Sequence, residues 1–326
     1  MTVGEELLYL SRADVERVGM TMGEVIEAVE GAFRSKAAGR CEMPPKPGVH
    51  TRPDGFIHAM PAYLADLDAA GIKWISGYPH NSKRGLPYIS GLLILNDAET
   101  GIPAAVMDAT WITAVRTGAA TAVAAKHLAR PESATLAVLG CGVQGRTNLQ
   151  ALQCVMPRLA SVRGYDISAD ALERYVAEMT EATGLRIEAA ASAEEAVRAA
   201  DLVVTAGPIL KEPEPVIEPE WLAGGVFACA LDFDSHFTPA ALKACDGFVT
   251  DDRAQLLHYR EIGYFQDIPE VTAETAEVVS GAKPGRRTDE ERIMAMHLGL
   301  AIEDVAVALP LYRRAMDRGI GTRLPL

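Results

Sequence analysis

The sequence predicts an α/β protein of two domains, one of them built on a parallel sheet. Three observations predict it. The chain has 326 residues, about twice a typical domain length. Its rhythm changes after Pro131 from closely spaced strands to alternating strand and helix. A glycine-rich loop, Gly140-Cys141-Gly142-Val143-Gln144-Gly145, stands where one of those strands passes into a helix. Hydrophobic residues make up 49% and charged residues 23%, a balance that buries a sizeable core.

The elements follow in order. Ser11 precedes RADVERVG, and Thr21 with Glu24 has capping-box spacing ahead of Val25, Ile26, Val29 and Phe33. Those apolar positions recur at helical intervals, so two short helices with a buried face are expected. CEMPPKPGVHTRPDG is rich in Pro and Gly and reads as loop or irregular edge structure. From Phe56 to Asp108 come the strand patterns FIHAMPAYL, GIKWIS, SGLLILN and IPAAVMD, with NDAETG as a hairpin connection. An Ala-rich helix is expected from Thr110 to Leu128, closed by Arg130-Pro131. Beyond it TLAVLG, SVRGYD, RIEAAA, DLVVTAG, VFACALD and GFVTDD read as strands. Helices begin near Gln144, run through ISADALERYVAEM, and follow Ser192, which is boxed with Glu195. Short apolar runs separated by amphipathic helices indicate a parallel sheet with helices on both faces. Gly299 to Leu326 lies outside that rhythm as one more amphipathic helix with a tail, expected to return to the first domain.

The formal net charge is -13. An acidic surface repels phosphate backbones, so nucleic acid is not an expected partner, and an anionic substrate would need a local basic pocket. MTVGEELLYL carries acids where a signal peptide is basic, and no apolar run reaches transmembrane length. No membrane partner is expected. Cys41, Cys141, Cys154, Cys229 and Cys245 are scattered without metal-ligand spacing. Neither a disulfide nor a metal is expected, and a cytoplasmic location fits.

The glycine loop is the main chemical signal. In a strand–loop–helix context, Gly140, Gly142 and Gly145 serve a tight turn, backbone approach to a pyrophosphate, and close helix–strand packing. The helix N-terminus, with Val143 and Gln144 in its first turn, offers free N–H groups to the phosphates. This makes the sheet Rossmann-type and doubly wound. Asp166 ends the next strand, about twenty residues on, where an acid binds a ribose 2′-hydroxyl. Against a 2′-phosphate, a like charge at roughly 4 Å and an effective dielectric near 20 costs about 4 kcal/mol. No Arg or Lys occurs in the following ISADALE, so NAD is expected rather than NADP. The plainer reading of Asp166 is a strand-ending turn residue. Thr205, at the carboxyl end of DLVVT, is a further candidate for the cofactor.

GIKWIS, ITAVRTGAA, the glycine loop, DLVVTAG, LDFDS and LGLAIEDVAVAL occur in the order seen in the ornithine cyclodeaminase/mu-crystallin family, and the chain resembles that family from about Met43 to Gly321. The resemblance implies a smaller α+β substrate and dimerisation domain (residues 1–117), an inserted dinucleotide domain (118–298), and a C-terminal helix (299–326) completing the first. It implies a homodimer and hydride chemistry at an amino-bearing carbon. Lys73 matches the family lysine beside the substrate carboxylate and reacting carbon, and Arg116 the family arginine, whose fork suits a carboxylate. Thr117 matches a cofactor contact. Asp232 matches the acid that moves a proton at the substrate amine, with Asp234 as its competitor.

Each has a plainer reading: a snorkelling lysine, a structural salt bridge, a solvated loop acid. Three positions depart from the family. Lys46 stands for an arginine, keeping the charge without the fork. His58 stands where cyclodeaminases carry a glutamate, as an acid–base group or a core histidine. His297 replaces a small residue. The expected function is therefore NAD(P)H-dependent oxidation–reduction of a small carboxylate-bearing imino or amino acid. Lys46, Lys73 and Arg116 would hold the carboxylate, and Asp232 or His58 would move the proton. The alternatives are an ornithine cyclodeaminase and a crystallin-like cofactor binder.

Overall fold

The computed structural model describes residues 4–326 and divides into two compact units. One comprises the chain up to Arg116 together with Gly299–Leu326, the other Thr117–Leu298. The first unit opens with β1 (Glu6–Leu10), α1 (Arg12–Val18) and α2 (Met22–Ala37). Then follow β2 (Cys41–Glu42), β3 (Gly48–Arg52), β4 (Gly55–Leu64), β5 (Ala69–Gly77), β6 (Ile89–Asp97) and β7 (Pro103–Asp108). Helix α3 (Thr110–Leu128) carries the chain into the second unit. There β8 (Thr135–Leu139), α4 (Val143–Val155), β9 (Ser161–Tyr165), α5 (Ala169–Thr183), β10 (Arg186–Ala189) and α6 (Ala193–Val197) alternate. They are followed by β11 (Leu202–Thr205), β12 (Phe227–Ala230), α7 (Pro239–Lys243), β13 (Gly247–Thr250) and α8 (Arg253–Glu261). After β14 (Ala273–Glu274), α9 (Thr275–Val279) and β15 (Ile293–Met296), the chain rejoins the first unit as α10 (Ala301–Arg318) and β16 (Thr322–Pro325).

In the first unit β4 to β7 form an antiparallel meander, extended by β1, parallel to β7, and then by β16. Alternation along the strands decides what each face carries. Met60, Ala62 and Leu64, Lys73 and Ile75, Leu93 and Leu95 are buried on the face covered by α10. Trp74 and its cross-strand partner Leu92 point the other way and are exposed. The Pro- and Gly-rich segment supplies an edge strand, β3, whose pairing with β4 shifts register between Val49 and Arg52. Its prolines fall outside the paired residues, as their missing N–H requires.

In the second unit eight strands lie in the order β10-β9-β8-β11-β12-β15-β13-β14, and every pairing is parallel. Val138, Val204, Cys229 and Ala295 serve one core, Ala137, Val203, Ala228 and Met294 the other. Burial on both faces is why these strands read as uninterrupted apolar runs. The winding reverses between β8 and β11, and open parallel sheets bind ligands at that crevice. Among the described residues no helix is long and apolar enough to cross a membrane.

The glycine loop sits at this reversal. Gly140 has φ +96°, and a Cβ there would come 2.6 Å from the backbone of Ala206. A Cβ on Gly145 would meet the Gly140 carbonyl oxygen at 2.4 Å and Val138 at 3.0 Å, so α4 rests directly on β8. Gly145→Ala is therefore expected to destabilise by about 1–3 kcal/mol, lowering the thermal midpoint by roughly 2–4 °C per kcal/mol. An unchanged midpoint in a melting experiment would contradict this packing.

Candidate active site

The first unit holds a buried charge cluster. Period-2 alternation on β5 turns Lys73 inward, and its side chain is wholly buried. The ammonium donates to Asp304 Oδ1 at 2.7 Å and to Thr113 Oγ1 at 3.2 Å. Arg116, on α3, donates through Nη1 to Glu303 Oε2 at 2.8 Å, and its Nε lies 3.1 Å from Asp304 Oδ1. Glu303 and Asp304 occupy the first turn of α10, where the helix dipole favours acids. Lys46 donates to the Gly299 carbonyl at 3.3 Å. Gly299 has φ +83°, and a Cβ there would lie 2.6 Å from Arg116 Nη1, so the guanidinium packs against bare backbone. Lys46, Lys73 and Arg116 are thus three buried cations in the unit that holds the buried carboxylates Glu303 and Asp304. Burial pushes Lys73 down to about 8, with the like charge of Arg116 adding to the shift and Asp304 and Glu303 opposing it.

His58 shares this face of the sheet. It is the register partner of Ile75, two residues from Met60, which pairs with Lys73. That diagonal corresponds to about 7–8 Å between backbones. Its ring stacks on Phe56 at a centroid distance of 4.2 Å and lies over Gly48, where a Cβ would come within 2.5 Å.

The second unit brings together the glycine loop and Asp166. Asp166 accepts from Cys141 N at 2.8 Å and from Ser168 N at 2.9 Å, so the acid also fixes the loop. Beside Gly142 a Cβ would meet nothing within 4 Å. This open backbone, ahead of the first turn of α4, whose Gly142 cap has no side chain to accept its N–H groups, fits the approach of a pyrophosphate. Val143 is exposed there, and Gln144 Oε1 lies 3.4 Å from Thr147 Oγ1 and Asn148 Nδ2. Thr117 lies on α3 beside Gly118, which presses on the Thr147 backbone. Arg146 went unnoticed in the sequence, although it directly follows the last glycine. It donates to the Cys141 carbonyl, pairs with Glu178 at 2.8 Å and lies over the Tyr175 ring, bracing the loop from behind.

Asp232, just beyond β12, is fully buried. Its Oδ1 accepts from Thr205 Oγ1 at 2.7 Å and its Oδ2 from Gly207 N at 2.7 Å. The Thr205 hydroxyl is thereby committed to Asp232. Oδ2 also lies 2.9 Å from Nδ1 of His236, a residue overlooked in LDFDSH, where the four-residue spacing was the available signal. Phe233, between the two aspartates, has φ +62° and is locked by Tyr259, Tyr264 and Phe265. That left-handed residue sends Asp234 elsewhere: it accepts from Phe265 N at 3.1 Å, and burial pushes its carboxyl up. His297 is a core histidine, 3.0 Å from Thr275 Oγ1 and 3.9 Å from Cys229 Sγ.

Removing one partner from a buried ion pair leaves an uncompensated charge. Asp304→Asn is accordingly expected to cost about 3 kcal/mol, measured by urea unfolding at neutral pH. A loss below about 1 kcal/mol would place the cluster among weak surface-type pairs.

Residues 5–319 match the model of the ornithine cyclodeaminase/mu-crystallin family. The chain is 38% identical over 328 residues to the alanine dehydrogenase of Archaeoglobus fulgidus, covering 98% of each. Among solved structures, the Thermococcus litoralis Δ1-pyrroline-2-carboxylate reductase in complex with NADH and L-proline superposes with a TM-score of 0.91 at 34% identity, covering 97% of this chain and 99% of that one. An archaeal alanine dehydrogenase dimer with bound NAD gives 0.87 at 36% identity, covering 98% and 99%. On its sequence, its fold and the order of its motifs, the chain belongs to the ornithine cyclodeaminase/mu-crystallin family.

Proposed function

We propose that this protein is an NAD(H)-dependent oxidoreductase acting on the C–N bond of a small imino or amino acid, of ketimine reductase or amino-acid dehydrogenase type. The observation that carries this reading is the buried cluster of Lys73, Arg116, Glu303 and Asp304, with Lys46 donating to the Gly299 carbonyl against which Arg116 packs. These cations receive the substrate carboxylate, and the planar Arg116 fork orients it. Asp304 Oδ2 is buried without a partner and offers one acceptor to an N–H on the reacting nitrogen. The unit ending near residue 117 and completed by 299–326 takes the substrate; residues 118–298 take the cofactor. Gly140, Gly142, Val143, Gln144 and Gly145 hold the phosphates, Thr117 is assigned a further cofactor contact, and Asp166 takes the ribose hydroxyls. When bound, the dinucleotide supplies or accepts hydride at the α-carbon. Asp232 and His58 are the groups assigned to the proton at nitrogen, with Thr205 holding Asp232 in place. The relatives named for alanine, and for pyrroline carboxylate with NADH and proline, support this class.

The side chain of the substrate is read as neutral. The two acids of the cluster are engaged with Lys73 and Arg116, and His58 offers no negative charge to a second ammonium. We further propose a homodimer through the outer face of the first sheet, where Trp74 and Leu92 are 51% and 46% exposed. Adjacent apolar side chains of that size on an open sheet face mark an interface, and the archaeal alanine dehydrogenase was solved as a dimer. A cytoplasmic setting suits cysteines that form no disulfide among the described residues, Cys154 among them.

The test follows nicotinamide absorbance with cyclic imino acids, and with oxo acids plus ammonia or methylamine, alongside ammonia release from ornithine with NAD. A neutral imino or oxo acid should be reduced with NADH in preference to NADPH. Ornithine should be poorer in kcat/KM by about ten- to hundredfold, the value of a lost charged contact. Efficient release of ammonia from ornithine without net change in absorbance would overturn the assignment.

A further inference from the structure

His236 is unused in the reading above, and its position gives it a role toward the cofactor. Its ring lies over Gly207, where a Cβ would come 2.5 Å from His236 Cε1, so this histidine requires a glycine beneath it. Nδ1 is held 2.9 Å from Asp232 Oδ2, while the side chain keeps 24% exposure against none for Asp232. The backbone carbonyl of His236 accepts from Val216 N and Ile217 N, which fixes the residue from behind. Asp232 already accepts from Thr205 Oγ1 and Gly207 N, which fixes the side chain that faces the imidazole.

Strand order places this pair along the dinucleotide. Asp166 follows β9, the phosphate loop follows β8, Gly207 follows β11 and Asp232 follows β12, and these four strands are successive neighbours. A dinucleotide with its adenosine ribose at Asp166 and its phosphates on the loop extends its nicotinamide half toward the ends of β11 and β12.

We propose that the His236–Asp232 pair makes the protein discriminate between oxidised and reduced cofactor according to pH. The inference rests on the cofactor reading above. With His236 protonated the pair is neutral; once it loses its proton, the Asp232 charge stands uncompensated. The oxidised nicotinamide ring carries one positive charge more than the reduced ring, so deprotonation favours NAD+ over NADH. The charged groups facing His236 are Asp232 and, farther off, Asp166, both acidic; Asp234 is turned to Phe265. Burial works against the imidazolium, but Asp232 outweighs it and holds His236 above the ordinary histidine value. The imidazolium is therefore lost only as pH rises through that raised value. By linkage, binding NAD+ releases a proton that binding NADH retains. One unit of charge about 10 Å away, at an effective dielectric near 20, changes affinity on the order of tenfold.

Dissociation constants for NAD+ and NADH, measured by calorimetry from about pH 6 to about pH 9, test this without turnover. The ratio Kd(NAD+)/Kd(NADH) should fall about tenfold as pH rises in the unaltered protein and stay flat in His236→Gln. The variant also separates His236 from Lys73, which it leaves in place. A pH-independent ratio in the unaltered protein, or an undiminished slope in His236→Gln, would overturn the proposal while leaving the cofactor site standing. Failure of both dinucleotides to bind at any pH would overturn the cofactor reading itself, and this proposal with it.

Discussion

The buried ion cluster of Lys73, Arg116, Glu303 and Asp304 is the constraint on which the first unit turns. Lys73 and Arg116 come from β5 and α3, the two acids from α10, 231 positions along the chain from Lys73 to Asp304. Charges this deep are tolerated only when paired with good geometry, so α10 must return to the first sheet for that sheet to hold its cations. Lys46, buried nearby, reaches the same region through the Gly299 carbonyl.

The second unit meets a different constraint, close backbone approach. Gly140 and Gly145 exist to let β8, α4 and the Ala206 backbone crowd together, while Gly142 stays open. Asp166 and Arg146 tie the loop from two sides. Phe233 then spends a left-handed backbone conformation to aim Asp232 at Thr205 and Gly207. Such conformations persist where surrounding packing over-determines them, and three aromatic rings do so here.

What was legible in the sequence was local. The glycine loop, the helix after Ser11, the capping pair at Thr21 and the long helix from Thr110 depend on neighbours within a few residues, and the structure contains them. The alternating β4 to β7 meander was equally plain. Strand β15 was not, because IMAM is only four residues long, and short apolar runs carry no period to read. The Pro-rich segment hid β3, whose pairing is decided by β4. At the site, Lys46, Lys73 and Arg116 stood out through the family resemblance. Glu303 and Asp304, by contrast, read as ordinary charges on an amphipathic helix, since nothing within the helix reveals partners on distant elements. His236 was hidden for the same reason: a turn, not a periodic element, folds it back onto Asp232.

We propose that the cluster accepts one substrate carboxylate. Equilibrium titration of the NAD-loaded protein with the imino or amino acid that turns over best, and with its carboxamide analogue, tests it most directly. The acid should bind at least about a hundredfold more tightly, in line with the cost of leaving a buried charge without its partner. Equal affinities would show that Lys46, Lys73 and Arg116 do not hold the substrate carboxylate.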